Sequence, residues 1–167
     1  NEDEYITMGM AAFGNPIHKL DPYDYYHKGA KFKGTPEDLA ASAQCIIENE
    51  IMEIMQKARG YSSYLCYGGG VALNCVANSK IYHMFDKVWI MPSPGDSGGA
   101  LGAAAAYLDK KLKWKDPYLG TDIRSTIDPR KVVRHLLKYG VCGVANGRAE
   151  FGPRALGNRS LLGDPRR

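Results

Sequence analysis

The chain has 167 residues, 44% of them hydrophobic and 24% charged, with a formal net charge of +4 at pH 7. This composition suits an ordinary folded chain with one sizeable core or two small ones, and it argues against disorder; the scattered positive charge gives no continuous nucleic-acid-binding stripe. No apolar run approaches the ~20 residues of a membrane span. NEDEYITM lacks the order of a signal peptide, and Cys45, Cys66, Cys75 and Cys142 form no C-x-x-C pair and sit among apolar neighbours, so free buried thiols in the cytoplasm are expected. The chain starts without methionine and stops on DPRR, which leads us to expect a piece of a longer protein.

Along the chain, EYITMGMAAF is an apolar stretch ended by the loop signal Gly14-Asn15-Pro16, and the tyrosine-rich run 18–34 has no clean period and is expected as loop. Thr35-Pro36-Glu37-Asp38 is a helix start: a threonine cap, proline at the first position, and carboxylates at the positive end of the helix dipole. Leu39, Ile46, Ile47, Ile51, Ile54 and Met55 continue it at near-helical spacing to about Arg59, with Gly60 as its stop. The grammar then becomes strand, glycine turn, helix: Tyr64–Tyr67, Gly68-Gly69-Gly70, and a helix from Val71 to about Phe85. Val88–Met91 is a second strand, followed by the loop PSPGDSGG and an alanine-rich helix from Ala100 to about Lys111. Two β-loop-α units in succession predict an α/β architecture with parallel strands. Residues 114–126 carry no sustained apolar period and read as linker; a helix over about 129–138 and a strand over 141–145 then lead into GRAEFGPRALGNRSLLGDPR.

Loops that feed helix N-termini expose backbone N–H groups and attract anions. Gly68, Gly69 and Gly70 would let a phosphate or nucleoside approach the backbone, with Asn74 able to bond it from the first turn of the helix, although the same residues also make a tight strand-to-helix turn. Asp96 lies between Gly95 and Ser97, where it is either a helix cap or a metal ligand, and Ser97, Gly98 and Gly99 add small residues around it. His18, His27, His83 and His135 have no ligand spacing, and no Ser-His-Asp set or reactive cysteine can be read from spacing. The guanidinium groups of Arg148, Arg154, Arg159 and Arg166 match phosphate or carboxylate oxygens two at a time. Glycines and prolines between them let the backbone fold around a small object, so a pocket is expected. The alternative is a set of arginines tying the loop to carboxylates such as Glu150 and Asp164.

Three strings, MGMAAFG at 8–14, GGGVALNCVANSKI at 68–81 with GDSGGALGAA at 95–104, and GRAEFGPRALGNRSLLGDPR at 147–166, together resemble the NodU/CmcH-type O-carbamoyltransferases. The resemblance implies an α/β fold in which an actin-like ATPase (ribonuclease H-like) half-domain is followed by an incomplete YrdC-like segment. It divides the chain into residues 1–113, a linker at 114–128, and 129–167. It also implies an enzyme that uses carbamoyl phosphate and ATP to form carbamoyl-adenylate and passes the carbamoyl group to a hydroxyl of a small-molecule or saccharide acceptor. On this likeness Gly68, Gly69, Gly70, Asn74, Ser97 and Gly98 contact nucleotide, and Asp96 helps hold a divalent metal, iron or magnesium. Arg148, Arg154 and Arg159 fall at the entry to the YrdC-like part; their assignment to carbamoyl phosphate or the adenylate phosphate rests on charge and motif. The family's H-x-x-x-H metal pair does not occur in this sequence, so the chain by itself is expected to be inactive. A non-catalytic nucleotide- or anion-binding module of the same fold is the alternative, and an RNA-binding piece a weaker one. No membrane partner is expected.

Overall fold

The longest helix begins where the sequence places it, because Thr35 and Asp38 satisfy each other's backbone. In the computed structural model, which describes residues 4–17, 28, 33–124 and 126–166, Thr35 Oγ1 accepts from the Asp38 N–H at 3.2 Å and Asp38 Oδ2 accepts from the Thr35 N–H at 3.3 Å. The second oxygen of Asp38 takes the Asn15 N–H at 2.9 Å, so the cap also pins the preceding loop. Such a reciprocal box supplies partners to N–H groups that the first helical turn leaves unmet.

The chain forms two compact units, Asn1–Cys66 with Asn74–Trp89, and Tyr67–Leu73 with Ile90–Arg167. In the first, α1 (Glu4–Met10) runs into a 3-10 turn at Ala11–Phe13, and both lie against α2 (Pro36–Arg59). β1 (Tyr64–Tyr67) and α3 (Cys75–Ile81) follow, and then β2 (Lys87–Ile90), which pairs with β1. The core of this unit is mostly apolar: Ala40, Ala41, Ile51 and Met55 of α2 are buried, as are Ala77 and Ile81 of α3 and Phe85, with Ser42 and Glu48 of α2 buried beside them. Ile51 and Met55 stand one turn apart, and Ala77 and Ile81 likewise, which is how two amphipathic helices bury one face each. Most of the loop expected over 18–34, with His18 and His27, lies outside the described residues.

The helix expected over 71–85 is broken into a 3-10 turn at Gly70–Leu73 and the shorter α3. Asn74 is the reason: its side chain accepts from the Ala77 N–H at 3.2 Å and makes it a cap, a role that asparagine fills better than a helix interior.

The second unit has α4 (Gly99–Leu108), β3 (Asp122–Ile123), α5 (Pro129–Tyr139), β4 (Val141–Ala145), β5 (Gly147–Arg148) and β6 (Arg159–Gly163). α4 stops three residues before the sequence suggests, because Asp109 turns left-handed at φ 46° and ends the hydrogen-bond ladder. α5 is framed by an Asp128 cap and by Gly140 at φ 82°. β4 and β6 pair antiparallel with Val141 opposite Gly163 and Ala145 opposite Arg159, and β3 pairs antiparallel with β5. The parallel pattern read from the β-loop-α units therefore does not extend to these two ladders. Residues 117–121, within the stretch read as linker, bond to the start of the arginine-rich segment: the Gly120 N–H meets Ala149 O at 3.0 Å and the Phe151 N–H meets Pro117 O at 2.7 Å.

Candidate functional site

The glycine bend after β1 and the loop after β2 meet inside the second unit. The Gly69 N–H donates to Pro94 O at 2.7 Å, and a Cβ added to Gly95 would lie 3.7 Å from the Gly70 Cα. Gly69 itself has φ 93°, a conformation that favours glycine. Beneath this contact Ser93 is 1% exposed and its hydroxyl shares a 2.7 Å hydrogen bond with Ser97 Oγ. Gly98 is buried directly against Ser93, where any side chain would collide with the Ser93 carbonyl.

Asp96 is exposed at the first position of the 3-10 turn Asp96–Gly98, and its side chain caps neither that turn nor α4. The cap reading is thereby removed. Among the described residues no three of His, Cys, Asp and Glu gather in one place, so Asp96 stands there without a cluster of further ligands. The four cysteines are free as expected but not buried: Cys66 and Cys75 are exposed, and Cys45 and Cys142 are half-buried.

Arg154 joins the two bends. Its loop crosses the second of them at Gly152, whose φ of +121° brings the backbone so close to Pro92 O that no Cβ would fit. Nη2 of Arg154 donates to the carbonyl of Leu73, three residues beyond the glycine bend. Among the described residues no acceptor meets its Nε or Nη1, so a guanidinium edge remains for a ligand. The other two arginines are turned to the backbone. Arg148 Nε donates to Gly120 O at 3.0 Å, and Arg159 donates to the carbonyls of Asn146 (2.8 Å), Asn158 (2.7 Å), Thr121 (3.1 Å) and Gly147 (3.3 Å). Arg159 therefore pins together the strand ends at 121, 146–147 and 158.

Of the arginine-rich segment only Arg166 pairs with a carboxylate among the described residues, holding buried Asp164 through Nε at 2.9 Å and Nη2 at 2.8 Å. Glu150, the other carboxylate considered from the sequence, accepts backbone N–H groups. Oε1 receives those of Leu156 (2.9 Å), Asn158 (2.7 Å) and Arg159 (3.1 Å). Desolvation pushes its carboxyl up, but these bonds to the charged form outweigh it and bring the pKa down to about 2.

Asn74 belongs to the first unit, and its amide is engaged there. Asn74 Nδ2 donates to Gln44 Oε1 at 3.0 Å while Gln44 Nε2 donates to Asn74 Oδ1 at 3.1 Å. Gln44 Nε2 also reaches Glu48 Oε1 at 2.7 Å, and Glu48 Oε2 takes Lys80 Nζ. Burial pushes the Glu48 carboxyl up; the hydrogen bonds from Lys80 and Gln44 and the Lys80 charge prevail and hold it below its ordinary value. Sequence reading missed this chain of polar contacts because its members are 30 and 32 residues apart. Only the i, i+4 spacing of Gln44 and Glu48 was a local signal.

Comparison with known proteins matches residues 17–105 to the family described as Carbamoyltransferase N-terminus and residues 133–167 to Carbamoyltransferase C-terminus. The chain is 38% identical to Uncharacterized protein sll1178 of Synechocystis sp., over 99% of this chain and 39% of that one. It is 29% identical to Nodulation protein NolO of Bradyrhizobium diazoefficiens, over 98% of this chain and 40% of that protein. Nodulation protein U of Sinorhizobium fredii is 31% identical, over 84% of this chain and 29% of its own length. This chain thus spans two fifths or less of the length of these relatives.

Proposed function

The chain belongs to the carbamoyltransferase family, and on that premise we propose that its parent protein uses carbamoyl phosphate and ATP to make carbamoyl-adenylate. The carbamoyl group then passes to a hydroxyl of a small-molecule or saccharide acceptor. The observation that carries the reading is the meeting of two glycine bends with Arg154, whose Nη2 is fixed on Leu73 O. Bare amides and a fixed guanidinium suit phosphate oxygens, and a preorganised positive group stabilises the charge that develops as phosphate and pyrophosphate leave.

In this reading Gly68, Gly69 and Gly70 let the nucleotide lie against the backbone, with Ser97 and Gly98 beside it. Arg154 holds a phosphate through its outward edge. Arg148 and Arg159 act one step back, since their donors hold carbonyls around that loop. Asn74 would have to release Gln44 before it could bond a nucleotide. The actin-like and YrdC-like folds belong to the same proposal, as does a cytoplasmic site of action. Among the described residues no helix is long and apolar enough to cross a membrane.

A divalent metal would have Asp96 as its candidate ligand from the described part of this chain, with no cluster of further ligands around it. The second reading is a nucleotide- or anion-binding module without turnover. Incubating the full-length protein with carbamoyl phosphate, ATP and a divalent metal separates the two. Carbamoyl-adenylate and pyrophosphate support the enzyme; nucleotide binding with neither product supports the module and removes the enzyme.

A further inference from the structure

The loop that carries Arg154 is closed at its base by one carboxylate. Residues 151–158 leave from Glu150 and return so that three of the four N–H groups over 156–159 point at Glu150 Oε1, at 2.9, 2.7 and 3.1 Å. The fourth, on Gly157, goes to Ser160 Oγ at 3.1 Å. Successive N–H groups converging on one point make an anion-binding concavity, and here the chain fills it with its own side chain. Between the two ends of this closure Gly152 is pressed onto Pro92 and Arg154 reaches Leu73 O. The loop is thus held at its base by Glu150 and at its far side by those two contacts.

We infer that Glu150 is a positioning residue: by gathering the N–H groups of Leu156, Asn158 and Arg159 on one oxygen, it fixes the loop that sets the Arg154 guanidinium beside the glycine bend. The part of this inference that concerns phosphate rests on the function proposed above. The closure itself does not. Three N–H groups on one oxygen favour the charged carboxylate and hold its pKa low, at about 2. A glutamine keeps an acceptor oxygen of the same reach without the charge, and an alanine leaves all three donors without it.

The test uses the full-length protein with Glu150→Ala, Glu150→Gln, Arg154→Ala and the Glu150→Ala/Arg154→Ala double variant. Amide hydrogen exchange is expected to rise on the order of tenfold or more at Leu156, Asn158 and Arg159 in Glu150→Ala, with α2 unchanged. The KM for carbamoyl phosphate is expected to rise on the order of tenfold or more with a smaller change in kcat, because a displaced Arg154 weakens phosphate binding first. Adding Arg154→Ala to Glu150→Ala should cost little more, and Glu150→Gln should fall between wild type and Glu150→Ala. Unchanged exchange at the three amides, or losses from Glu150 and Arg154 that simply add, overturns the inference. Should Glu150→Ala fail to fold, the same exchange and KM measurements on Glu150→Gln decide it. If wild-type protein makes no carbamoyl-adenylate, the functional reading falls. Non-additivity of the two substitutions in thermal unfolding, together with the exchange data, then decides the positioning role alone.

Discussion

In the first unit Ile51 and Met55 of α2 and Ala77 and Ile81 of α3 are buried among one another's apolar neighbours, whereas in the second Ala72 is the sole buried apolar side chain among the described residues. What the second unit has instead is directed bonding to the backbone: Arg159 on four carbonyls, Glu150 on three amides, and Gly98 and Gly152 pressed against Ser93 and Pro92. Apolar burial is non-directional and tolerates small shifts. Hydrogen bonds fix a path through space but lose their benefit when one partner goes, because the other is left unmet. The unit with the candidate site thus gains its geometry from directional contacts.

The largest effect that would sharpen this contrast is expected in the first unit. Ile81 is 0% exposed, and Ile81→Ala should cost about 2–5 kcal/mol by urea unfolding, as deletion of a buried aliphatic side chain leaves a cavity. A loss below 1 kcal/mol would break the picture of an apolar core there. Next comes Gly152→Ala in the second unit, where both φ +121° and the Pro92 carbonyl oppose a Cβ. A loss of about 1–3 kcal/mol is expected, with exchange protection lost first over 150–159.

Asn74→Ala should cost about 1 kcal/mol through the lost cap, and slightly more if Gln44 is left without its partner. Acid tests the same directional contacts. Both Glu150, at about 2, and Glu48 have folded pKa values below the unfolded carboxylate value of 4.5. Their contributions are therefore complete above that value and vanish as pH falls through the folded values, toward about 2 for Glu150. Exchange followed between pH 5 and pH 2 should show the 156–159 amides opening only at the acid end; opening that begins near neutrality would contradict the assignment.

Much of the local structure was legible. Thr35-Pro36-Glu37-Asp38 announced the cap of α2, and β1 and β4 fall at Tyr64–Tyr67 and Val141–Ala145 as the sequence suggests. β6 was not, because RSLLG lies inside a segment whose arginines and glycines draw the eye to ligand chemistry, and its strand partner is set by register with β4. The site was legible as a set of residue types and not as a set of partners. Spacing shows that Arg154 and Arg159 carry guanidinium groups, but not that one keeps an edge without an acceptor among the described residues while the other meets carbonyls on several sides. Likewise nothing local tells that Glu150 will find amide groups six to nine residues ahead, since only closure of the loop brings them round.

The most direct test of the account is carbamoyl-adenylate formation by full-length Arg154→Ala beside wild type, with the fold checked by circular dichroism. The variant is expected to fold and to lose most of its adenylate formation, with the loss largest at low carbamoyl phosphate. A folded variant that forms adenylate at the wild-type rate and with the wild-type KM would contradict it.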